Sequence, residues 1–151
     1  MDAEPLALIT RLGLAPHPEG GHYRRCYESA IRPQGRPALT AIHFLLVRGE
    51  RSRWHRVDAD ECWHWQQGGV LELRMLDPAT GSMRTCRLGA SAQGEPAMQV
   101  VPAGWWQSAR PLGDYSLVAC TVSPGFAWEG FELLDEDAPL ARQLQADGHW
   151  P

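Results

Sequence analysis

Apolar and β-branched residues recur along the chain in short runs separated by turn residues, at intervals too short to hold crossover helices. The runs are His22 to Glu28, Leu39 to Val47, Ser52 to Val57, Glu61 to Gln66, Val70 to Leu76, Ser82 to Leu88, Ala97 to Val101, Trp105 to Ala109, Tyr115 to Val122 and Trp128 to Leu133. This spacing predicts an antiparallel all-β domain over about residues 20–134. Asp77-Pro78-Ala79-Thr80-Gly81 is a strong hairpin signal between two of the runs. Helical pattern is confined to the ends. Asp2 can cap, Pro5 suits a first turn, Leu6, Leu8, Ile9 and Leu12 supply apolar positions and Gly13 can close, which predicts a helix over about 4–12. Ala138 to Ala146 reads as a second amphipathic helix before Gly148. Pro16 to Gly21 pairs prolines with glycines and is predicted to be an ordered loop.

A chain of this many short strands must bury its edges, and folding two sheets into a jelly-roll barrel is one way to do so. A sandwich of immunoglobulin type is the competitor, and periodicity does not separate them. At 151 residues the chain suits one domain, and 44% hydrophobic with 21% charged residues is an ordinary globular composition. There is no internal repeat and no low-complexity linker.

All 14 basic residues are arginine, and the chain contains neither lysine nor asparagine. Schiff-base chemistry, a pyridoxal-binding lysine and a lysine phosphate loop are thereby excluded, as is N-glycosylation. A net charge of −4, with basic and acidic residues intermingled, predicts no nucleic-acid partner. Cys26, Cys62, Cys86 and Cys120 lack both metal-binding spacing and disulfide density and are expected to be free thiols. The start M-D-A-E-P has no basic or apolar leader segment, and no apolar run is long enough to span a bilayer. No membrane association and a cytoplasmic location are expected.

The chemistry concentrates in Gly49 to Gly68. Alternation puts Arg53, His55 and Val57 on one strand face and Glu61, Trp63 and Trp65 on another, so His55 and Glu61 meet if those faces coincide across a hairpin. Gly49, His55, Val57, Glu61 and Gly68 follow the spacing of the first cupin motif, and Pro102-Ala103-Gly104-Trp105-Trp106-Gln107 that of the second. The stretches Leu14 to Arg24, Ala41 to Leu46, Trp54 to Val57, Asp60 to His64, Val101 to Gly104 and Val122 to Phe126 resemble a small cupin family of uncharacterised proteins with a dTDP-sugar-epimerase-like jelly roll. That resemblance runs nearly the length of the chain.

The resemblance implies a site of three histidines and a glutamate, of which only His55 and Glu61 are present; Val57 and Gln107 stand where two histidines would be. His55, Glu61 and Gln107 would hold a divalent metal poorly, so no cofactor is expected to be required. Without metal, His55 beside a carboxylate is prepared as a general base. An epimerase-like or isomerase-like proton transfer on a small polar, sugar-like or nucleotide-linked ligand is then implied by resemblance, with Tyr23 as a candidate second proton donor. Gln107 would orient the ligand and Trp63, Trp65 and Trp105 would wall it. His43, on an apolar strand, Glu19, in the early loop, and Arg53, a possible anion clamp, are further ligand-binding candidates. Trp106, Trp128 and Trp150 are read as filler. A non-catalytic metabolite-binding module and a metal-dependent dioxygenase or isomerase are the alternatives. The resemblance further implies a homodimer.

Overall fold

A computed structural model describes residues 2–151. The first helix, α1 (Ala3–Leu12), ends at Gly13 in the left-handed conformation, and α2 (Pro139–Ala146) starts on a proline, each as its sequence signals require. Between them lie β1 (Ala15–Pro16), β2 (His22–Glu28), β3 (Thr40–Val47), β4 (Ser52–Val57), β5 (Asp60–Gly68), β6 (Leu71–Leu76), β7 (Met83–Leu88), β8 (Met98–Val101), β9 (Trp106–Pro111), β10 (Tyr115–Ser123) and β11 (Phe131–Leu133). The hairpin predicted at Asp77 to Gly81 joins β6 and β7, and the Asp77 carboxylate accepts from the Ala79 N–H and Thr80 hydroxyl to form the turn. Trp128–Gly130 is a single 3-10 turn, so the last strand is shorter than its apolar pattern suggests.

Two antiparallel sheets result, in the orders β1-β2-β3-β10-β5-β8 and β11-β4-β9-β6-β7. The arrangement is jelly-roll-like, with the sheets facing each other rather than closed into a continuous barrel. Consecutive strands β4 and β5 fall in opposite sheets, so His55 and Glu61 approach across the sandwich and not across a hairpin ladder.

Phe44, Leu46, Trp63, Leu71, Leu73, Met75, Val118 and Cys120 fill the space between the sheets. The outer faces are partly covered: α1 packs Leu8 with Leu14 on Leu45 and Leu117, and α2 packs Ala141 and Leu144 on Trp54 and Trp106. Strand β3 is therefore apolar on both faces, and His43, between inward Ile42 and Phe44, lies on the outer side. The four cysteines are free. Among the described residues no helix is long and apolar enough to cross a membrane.

Candidate functional site

The loop between β1 and β2 carries the first component. Gly20 and Gly21 hold positive φ of 110° and 75°, and a Cβ on Gly20 would sit 2.1 Å from the Arg51 carbonyl oxygen. Only glycine allows so close an approach. The Glu19 carbonyl accepts the Arg53 N–H at 2.7 Å, and the Glu19 N–H donates to His17 Nδ1 at 3.1 Å. This framework drives the Glu19 side chain inward, where it is 5% exposed.

The second component comes from β4. Its register with β9 slips between Ser52 and His55, so both turn inward while Arg53 turns to solvent and Trp54 goes beneath α2. His55 Nδ1 lies 2.7 Å from the Arg53 carbonyl oxygen, and Nε2 lies 2.9 Å from Glu19 Oε2. Both neighbours are acceptors, so both ring nitrogens carry protons and the ring is an imidazolium. Burial opposes that charge, but the charge and hydrogen bond of Glu19, with Glu61 behind it, hold the His55 pKa up at about 9. Burial likewise opposes the Glu19 charge, and His55 overrides it, leaving the Glu19 pKa lowered. The carboxylate that prepares His55 is thus Glu19 and not the expected Glu61.

Glu61, from β5, is 7% exposed and belongs to a separate chain of hydrogen bonds. The Trp63 indole N–H can only donate, and it donates to Gln107 Oε1 at 2.8 Å. The Gln107 amide is thereby fixed with its NH2 toward Glu61 Oε1, also at 2.8 Å. Burial drives the Glu61 pKa up to about 7; the Glu19 charge adds to the rise, while His55 and the Gln107 bond restrain it. The neighbouring Cys120 thiol is pushed well up, chiefly by burial, and stays neutral.

A cavity of about 630 Å³ opens over these groups. Glu19, His55 and Glu61 form its charged floor, His17 and Tyr23 stand on one wall, and Phe126, Trp128 and Phe131 line its mouth. His17 packs edge-on against Tyr23 at 4.4 Å; burial lowers its pKa, and its Nδ1 already accepts the Glu19 N–H, so the ring is neutral.

Several expected site residues lie elsewhere. Trp63, Trp65 and Trp105 belong to the packed interior, and Gln107 touches Glu61 from behind instead of facing the cavity. His43 is on the opposite sheet face, with Nδ1 buried and unpartnered, and the Arg53 side chain is exposed. The aromatic wall is supplied instead by Phe126, Trp128 and Phe131, so Trp128 is not the filler that the sequence suggests. The signal for them was the Pro124-Gly125 turn, which folds this segment back over the sheet opening through Gly125 N–H to Pro37 O at 2.7 Å.

The donors do not fit a divalent metal. His55 Nε2 is committed to Glu19, Gln107 oxygen to Trp63, and Val57 offers no ligand. Among the described residues no three His, Cys, Asp or Glu side chains are grouped to hold an ion.

Residues 6–134 match the Cupin superfamily (DUF985). The chain belongs to this family. Its fold matches protein SO0799 from Shewanella oneidensis with a TM-score of 0.85 and 38% identity, over 97% of this chain and 94% of that one. A hypothetical protein from Leishmania major matches at 0.79 and 32% identity, over 97% and 92%. An oxalate decarboxylase from Bacillus subtilis shares only the fold: TM-score 0.63, 18% identity, 88% of this cupin and 34% of that chain. Among curated proteins none matches.

Proposed function

We propose that this cupin binds a small polar metabolite and moves a proton on it through Glu61, with no metal in the step. The observation that carries this reading is the division of labour on the cavity floor. Both His55 nitrogens are occupied by acceptors, so the ring is a fixed cation and not a free base. Glu61 has one oxygen on Gln107, lines the cavity, and titrates at about 7. A carboxyl poised there gives or takes a proton near neutral pH with little driving-force penalty. The Tyr23 phenol on the wall is the partner acid.

An isomerase-like or epimerase-like reaction is the class that uses these parts. The oxalate chemistry named for the Bacillus protein suits them less, since a two-carbon diacid would leave most of a cavity of about 630 Å³ empty. The second reading, a binding module without turnover, draws support from the immobilised His55.

Deuterium exchange into a panel of keto sugars and keto acids, followed by proton NMR, separates the two. Wild type should exchange a C–H next to the carbonyl of at least one bound compound, and Glu61→Gln should slow this by about a hundredfold or more while still binding it. Binding without exchange in wild type would establish the module instead, and exchange undiminished in Glu61→Gln would remove Glu61 from the chemistry.

A further inference from the structure

The mouth of the cavity carries a cation that the fold holds only loosely. Arg25 of β2 lines it on the inward face shared with its register partner Ile42, whereas Arg24 is paired with the outward His43. The Arg24 guanidinium has one hydrogen bond, to the Leu12 carbonyl at 3.4 Å, and no carboxylate partner among the described residues. Arg25 reaches the Phe126 carbonyl at 3.5 Å and lies 4.0 Å from Glu28, whose carboxylate is already held by Arg32 at 3.0 Å. Arg36, Arg56 and Arg110, by contrast, hold carboxylates at 2.7 to 2.8 Å. Glu129 is the acidic side chain at this mouth. On the floor, the Glu19 and His55 charges cancel.

Trp128 lines the same cavity, 49% exposed although large and apolar, while Trp54 and Trp63 are buried. Phe126 and Phe131 brace it at 4.9 and 5.4 Å with nearly perpendicular rings. The segment bearing them is pinned at both ends: the Phe126 N–H donates to Thr40 Oγ1 at 2.9 Å, the Asp58 N–H donates to Gly130 O at 3.1 Å, and Arg36 ties Asp58 to the Gly125 carbonyl. A braced, exposed aromatic at a mouth that also carries a loosely held guanidinium group is a platform for a flat ring with an anionic substituent.

We propose that the ligand of this cavity is an anionic ring compound, its phosphate or carboxylate held by Arg25, its ring against Trp128, and its reacting end toward Glu61. The assignment of the reacting end rests on the proposed role of Glu61; the anion and ring subsites do not. Guanidinium forks bind phosphate and carboxylate oxygens alike, so the two are separated by the choice of probe.

The test is calorimetric titration with matched pairs: adenosine monophosphate against adenosine, glucose phosphate against glucose, and benzoate against benzamide. In at least one pair the charged member should bind about tenfold or more tightly than its neutral mate. Arg25→Ala, checked for folding by circular dichroism, should erase that preference. Trp128→Ala should weaken both members of the pair by about tenfold, the range for loss of one stacking face. A preference confined to the phosphates or to benzoate names the anion. Equal binding within every pair, no binding of any probe, or a charge preference that survives Arg25→Ala would overturn the proposal. Retained loss of exchange in Glu61→Gln alongside such a failure would leave the role of Glu61 standing, so the two ideas fail separately.

Discussion

Replacing Glu19 by glutamine removes one charge from the floor of the cavity and keeps its shape. The amide can donate to a neutral His55 Nε2 while Nδ1–H stays on the Arg53 carbonyl, so the variant isolates the ion pair. In the wild type, His55 titrates at about 9 against a reference of 6.5. That difference corresponds to about 3 kcal/mol, assigned once to the pair and not to each partner. Because the folded-state value is raised, the stabilisation is fully present below pH 6.5 and is lost as pH rises through about 9. Urea unfolding of Glu19→Gln should therefore show a loss of about 3 kcal/mol near pH 6, or about 10 °C in melting temperature, shrinking toward zero above about pH 9. A loss of the same size at both ends of the range would mean that packing and not charge holds Glu19 to His55, and would refute the reasoning.

Glu61→Gln should act in the opposite sense. The Glu61 pKa is raised from 4.5 to about 7, so its contribution is favourable below pH 4.5 and is lost as pH rises through 7; the variant should be more stable than wild type by about 3 kcal/mol at pH 8 and not at pH 4.5, by urea melts. Gly20→Ala, at a φ of 110° with the new Cβ 2.1 Å from the Arg51 oxygen, should cost about 2 kcal/mol or more and displace Glu19, seen as a fall in the His55 pKa by NMR. Val57→His/Gln107→His should bind no manganese or cobalt by calorimetry as long as Glu19 occupies His55 Nε2. Adding Glu19→Ala should create the binding, and binding by the double variant alone would count against Glu19 as the obstacle.

The fold was largely legible because strands with one buried face alternate and the Asp77 to Gly81 turn is punctuated by its own side chains. Alternation put His55 and Glu61 on strand faces that could meet, the resemblance to the second cupin motif added Gln107, and the Pro and Gly pattern put Glu19 in an ordered loop. Alternation failed where a face pattern was masked. Strand β3 is covered by the core on one side and by α1 on the other, so nothing in Ile42, Phe44 and Leu45 shows that His43 points out. The slip between Ser52 and His55 turned Arg53 outward against strict alternation. Which carboxylate pairs with His55 depends on how β4 and the loop before β2 dock, a tertiary fact with no local signature. Trp128 was equally opaque, since an exposed cavity wall and core filler have the same sequence.

The central claim is that Glu61, and not His55, is the group that exchanges protons near neutral pH. Carbon-13 NMR of the glutamate carboxyl groups across pH 3.5 to 9.5, about the range in which the ordinary and raised values fall, with Glu61→Gln used for assignment, tests it directly. A carboxyl that titrates at about 7 and vanishes in Glu61→Gln is the predicted result. A Glu61 resonance that titrates near its ordinary 4.5 would contradict the account.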